Sequence, residues 1–115
     1  MKKSHLILPV IVLLSIVVFG FQSNQEVQYE YVTVKVFEAT MVKNHLTIIY
    51  PDGKIETQIM NKVTKNVAVD YEAHLRIINK TFNDLGAKGY KMASSNSGGS
   101  SNAITNDYVF MRELK

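Results

Sequence analysis

The groups with chemical potential in this chain are three histidines, ten acidic side chains and a serine-rich stretch. His5 lies in an apolar N-terminal run, which leaves His45 and His74. A zinc site draws on cysteines or on histidines and carboxylates spaced as HxxxH, HxH or HxxE. None of these spacings occurs, and there is no cysteine. General acid–base catalysis needs two titratable groups brought to one cleft with their proton affinities pushed apart. Glu30 and Glu38 flank the valine face of a strand, where they are expected to keep its ends solvated, Asp52 sits in a turn and Asp70 at a helix start. These four have structural assignments, the carboxylates as a whole are scattered along the chain, and no pair stands apart as acid and base. Ser94, Ser95, Ser97, Ser100 and Ser101 lack a GxSxG or SxxK setting. The segment SNSGGSSN lacks the lysine and spacing of a phosphate-binding loop. The expectation is a non-enzymatic protein with no metal and no cofactor.

The elements around these residues are legible from periodicity. YEYVTVKVFE, Tyr29–Glu38, alternates with Val32, Val34 and Val36 on one face and Tyr29, Tyr31, Thr33, Lys35 and Phe37 on the other. Apolar character on both faces predicts a central strand. HLTIIYPDGKIETQIM, His45–Met60, reads as a hairpin, because Pro51-Asp52-Gly53 supplies turn chemistry between two alternating arms. Tyr71, Leu75, Ile78, Phe82 and Leu85 recur at helical steps, with Asp70 as the expected N-cap and Gly86 as the residue that ends the helix. His74 falls one position off that stripe and is expected to be half-exposed. Tyr90–Ser95 and Asp107–Lys115 read as strands around a mobile loop, Ser94–Asn106. The expected fold is α+β: one amphipathic helix on one face of a mainly antiparallel sheet of about five strands, in the order β-β-β-α-β-β.

The N-terminus carries Lys2 and Lys3, then an apolar run from Leu6 to Phe21 that ends near a small residue. That pattern predicts a secretory signal peptide over residues 1–20, a flexible lead-in over 21–28 and the α+β domain over 29–115. The run is short against the roughly 20 residues that span a bilayer, so cleavage rather than anchoring is expected. Removing residues 1–20 leaves 11 of the 13 basic side chains against 10 acidic ones, which takes away the electrostatic case for nucleic acid. The domain is expected to be exported, periplasmic or extracellular, with no membrane association after cleavage.

The leading strand YEYVTVKVFE, the helix end NDLGAKGYKMASS and the closing strand YVFMREL together resemble the DUF4177 family of small bacterial domains. Leu85-Gly86 and Gly89-Tyr90 carry most of the likeness. Tyr90 stands where the family has Trp, Lys91 stands where it has Glu, and the hairpin His45–Met60 looks like an insertion. The resemblance implies the fold and brings no activity or catalytic residue with it.

A single helix covers one face of a sheet, so Tyr29, Tyr31 and Phe37 are expected to form an exposed patch for a protein partner or a second copy of the chain. The alternative is a small-ligand-binding domain or minor enzyme, with a pocket near the helix and the 94–106 loop to which His74 or Tyr90 contributes.

Overall fold

The computed structural model describes residues 26–115, so the segment read as a signal peptide and residues 21–25 of the lead-in lie outside the described residues. Strands β1 (Tyr29–Ala39), β2 (Asn44–Ile49) and β3 (Ile55–Met60) precede helix α1 (Val67–Ala87), and β4 (Lys91–Gly99) and β5 (Ala103–Glu113) follow it. All five strands form one antiparallel sheet in the order β3-β2-β1-β5-β4. This is the α+β arrangement expected from the sequence, with β1 at the centre. The valine alternation explains that position. Val32, Val34 and Val36 are fully buried under the helix, and the intervening residues hold the opposite face. The β2–β3 turn closes as its residues suggest: Gly53 donates to the Tyr50 carbonyl at 2.9 Å with φ +87°, a conformation natural to glycine.

The helix differs from expectation in phase and at both ends. Its buried stripe is His74, Ile78, Thr81 and Leu85, with Ile77 and Phe82 packed alongside, whereas Leu75 is 55% exposed. The sequence pattern counted His74 as polar and so rotated the apolar face by one residue. The helix also starts three residues before Asp70. Its N-cap position is Asn66, whose side chain makes no capping bond. The Asp70 carboxylate instead accepts from the Thr64 amide at 3.0 Å and hydroxyl at 3.3 Å, which ties the incoming chain to the first turn and places negative charge at the positive end of the helix.

At the other end Gly86 is an ordinary helical residue, and Gly89, at φ +91°, makes the left-handed reversal. The amides of Lys88 and Tyr90 donate to the Leu85 carbonyl, both at 3.1 Å, and that of Gly89 to the Gly86 carbonyl at 3.0 Å. Backbone bonding therefore closes the helix and hands the chain to β4.

The segment read as a mobile loop is largely strand. Ser94–Gly99 belongs to β4 and Ala103–Asn106 to β5, leaving a turn of Ser100 to Asn102. Backbone pairing to β5 overrides the low strand propensity of serine, asparagine and glycine, and the small polar side chains suit an edge that buries nothing. A register shift between Met92 and Ser94 also places these two residues on opposite faces. Val63, in the polar connection before the helix, is buried and bridges to Thr40.

Candidate functional site

The face of the sheet turned away from α1 is built from every second residue of each strand. Pairing aligns these residues in rows across the sheet. One row runs Ile59, His45, Phe37, Thr105; the next runs Thr57, Thr47, Lys35, Asp107, Asn96; a third runs Ile55, Ile49, Thr33, Val109, Ser94. Tyr31 and Met111 pair beyond them. Ile55 and Ile59 are each 60% exposed and Tyr31 is 52% exposed, so apolar side chains stand in solvent on this face.

All three residues singled out in the sequence lie here, but not as one aromatic cluster. Tyr29 and Tyr31 stand toward one end of β1. Phe37 stands toward the other, stacked on His45 with ring centroids 5.1 Å apart. The six-residue step from Tyr31 to Phe37 spans roughly 20 Å of strand. Between them lie Ile49, Ile55 and Val109, apolar groups that a reading of β1 alone could not supply. Period-two alternation puts Ile55 and Ile59 on one face of their arm, and only strand order shows that this face is the open one. The middle row carries the charges, with Lys35 Nζ 3.9 Å from Asp107 Oδ1.

The helix-facing side holds two polar clusters at opposite ends of β1. At one end His74 is fully buried, its Nδ1 2.9 Å from Glu38 Oε2 and its Nε2 2.6 Å from the Asn61 carbonyl. A carbonyl only accepts, so the ring donates to the Asn61 carbonyl from Nε2, and Nδ1 is the nitrogen that meets the Glu38 carboxylate. Asn44, also fully buried, accepts from the Ala39 amide at 2.6 Å and donates to the Asn61 carbonyl at 3.3 Å. This network joins β1, β2, α1 and the chain before α1. Buried and bonded at both nitrogens, His74 is neither the half-exposed residue expected nor placed to exchange a proton with a substrate.

At the other end Glu30 accepts from Arg112 Nε and from the Tyr90 hydroxyl at 3.2 Å. Arg112 stacks on the Tyr90 ring at 4.3 Å and donates to the Lys88 carbonyl at 2.6 Å, so a cation closes the negative end of α1. Glu30 and Glu38 are therefore structural anchors rather than solvated strand ends. A cleft of about 400 Å³ lies beside this cluster, lined by Glu30, Tyr50, Lys54, Glu56, Lys88 and Arg112. Its charges are engaged with one another: Lys54 with Glu56 at 3.8 Å, and Lys88 over the Tyr50 ring at 5.5 Å. Tyr90 also lines this cleft, but His74 does not, so the two share no common site. They bond to Glu38 and Glu30, roughly 26 Å apart along β1.

Burial raises the Tyr90 phenol above its usual 10.0; Arg112 opposes this and Glu30 reinforces it. The folded state thus holds the phenolic proton more tightly than the unfolded chain. The resulting stability is fully present below about pH 10 and is lost as pH rises through the folded value. Tyr90→Phe is expected to lessen that alkaline loss. The check is denaturation across alkaline pH, with tyrosinate absorbance followed in parallel; equal slopes for both proteins would refute it.

Among the described residues no three His, Asp or Glu side chains are grouped to hold a metal ion, and no helix is long and apolar enough to cross a membrane. No family model, no curated protein and no solved structure matches the chain.

Proposed function

We propose that this chain is an exported, non-enzymatic association domain that pairs with a second copy of itself through the open face of its sheet. The observation that carries this reading is the set of exposed apolar side chains drawn from three adjacent strands on that face: Tyr31, Ile49, Ile55 and Ile59. Five strands about 4.8 Å apart and about 20 Å of shared strand length give roughly 500 Å² per copy. Two copies would then bury about 1,000 Å², the lower bound for a specific interface. Export is supported by the basic start and apolar run of residues 1–21. Kinship with DUF4177 domains belongs to the same proposal. It is supported by Leu85, Gly86, Gly89 and Tyr90, which build the helix end, and by the β2–β3 hairpin, which extends one edge of the sheet as an insertion would.

Sedimentation of the purified protein over a range of concentrations tests the proposal. The expected result is a monomer–dimer equilibrium that Tyr31→Ser and Ile49→Lys each shift toward monomer, with circular dichroism unchanged because both side chains are exposed. A protein that stays monomeric throughout, or variants that dimerise as well as the parent, would overturn it.

A further inference from the structure

We infer that the end of the domain where α1 begins docks on an anionic phospholipid surface, with apolar side chains of the β1–β2 loop and of the first helical turn entering the headgroup layer beside a set of unpaired lysines. This goes beyond the self-association reading and does not depend on it, because none of the residues concerned stands in the rows of the open face. Three segments build this end. The β1–β2 loop runs beside the connection that leads to the helix: Thr40 bridges Val63 in parallel, and the Met41 amide donates to the Val63 carbonyl at 3.2 Å. Val63 is buried and so pins both segments to the core. The first turn of α1 is tied to the same connection through the bond from the Thr64 amide to Asp70.

The apolar side chains here stand in water. Met41 is 73% exposed, more than any other large apolar side chain described, and Val69 follows at 62%. Val42 and Val67 are exposed as well. Met41 also has φ +66°, and among the described residues it is the only one other than glycine in the left-handed region. A side chain pays for that conformation in free energy. At Met41 the cost gains no core packing, since the conformation presents a flexible apolar group to solvent.

Charge at this end is one-sided. Lys43, Lys62 and Lys65 are exposed, and among the described residues none of them enters an ion pair. Of the nearby carboxylates, Glu38 is bonded to His74 and Asp70 to Thr64, which leaves Glu72 alone against three lysines. The near-even balance of the whole chain hides this, because elsewhere basic side chains meet acids, as Lys35 meets Asp107 and Arg112 meets Glu30. The expectation of no membrane association after cleavage therefore does not extend to this end. An apolar tip ringed by lysines suits the boundary between headgroups and acyl chains, where each ammonium gains attraction only if the lipids are anionic. A folded partner would call for a complementary groove or flat surface. This end offers exposed loop instead, and the cleft of about 400 Å³ lies at the opposite end of β1.

Vesicle flotation tests the docking on the chain without residues 1–20, which keeps every described element and removes most of the apolar run. Vesicles of phosphatidylcholine and phosphatidylglycerol in equal parts are expected to carry the protein, and vesicles of phosphatidylcholine alone are not. Lys62→Gln combined with Lys65→Gln is expected to weaken binding about twentyfold, at roughly fivefold for each lysine. Lys91→Gln, at the opposite end of the sheet and beyond the screening length of salt, is expected to change it less than about twofold. The chain has no tryptophan, so Met41→Trp supplies a single fluorophore whose emission is expected to shift to the blue on the mixed vesicles. All the substituted side chains are exposed, and circular dichroism checks that each variant keeps the fold. Absence of binding, equal binding to the two lipids, or a double lysine variant no weaker than Lys91→Gln overturns the docking. Emission that stays unshifted while the protein is bound also overturns it, because charge alone would then hold the surface. Sedimentation without lipid reads self-association separately, so either reading can fail while the other stands.

Discussion

His74→Ala is expected to destabilise the fold by about 2–5 kcal/mol, the cost of a cavity in the core together with the buried hydrogen-bond partners left behind. The ring is fully buried and bonded at both nitrogens, and the side chain of its partner Glu38 is 13% exposed. Alanine removes the contact to Glu38 and the donor to the Asn61 carbonyl, and it leaves a void between α1 and the sheet. The double variant His74→Leu with Glu38→Leu separates the electrostatic cost from the packing cost. It removes both polar groups and refills the space, so it is expected to recover most of the loss. Urea denaturation at constant slope reads both. A His74→Ala loss within about 1 kcal/mol, the level of an average substitution, would show that the network contributes little.

Leu85→Ala is expected to cost about 2–5 kcal/mol, since the side chain is 2% exposed and lies in the core with Val32, Val34 and Phe110. Leu75→Ala, on the same helix and with the same chemistry, is expected to cost no more than about 0.5 kcal/mol, as for an exposed position. The pair distinguishes the observed helix face from the one that apolar periodicity suggests, in which both leucines would be buried. Equal losses at 75 and 85 would mean that the helix is rotated from the position described here.

That contrast shows where the sequence was legible. Period-two alternation in β1, the Pro-Asp-Gly turn and the apolar helix spacing carried the fold class and the element order, because each is a local pattern repeated over several residues. Three things lay outside local pattern. The helix phase depended on a histidine that becomes a core residue only because Glu38 and the Asn61 carbonyl meet it. The strand Ser94–Gly99 has no strand-forming side chains and exists through its backbone ladder to β5. The composition of the open face depended on strand order, which brings the isoleucines of the hairpin beside β1. Tyr29, Tyr31 and Phe37 were placed on the correct face, yet the apolar centre between them comes from β2, β3 and β5.

The central position of β1 has a consequence for how the chain reaches its folded state. β1 is the first strand in the chain but closes the sheet only against β5, with Tyr29 opposite Glu113. Strand pairings so remote in sequence form slowly, because a long loop must close before they contribute. The hairpin and the helix can assemble as local pieces. The valine face of β1, however, stays open along one side until β5 emerges and pairs with it. Any condition that holds β1 apart from β5 therefore leaves the core incomplete, even with the hairpin and the helix already in place.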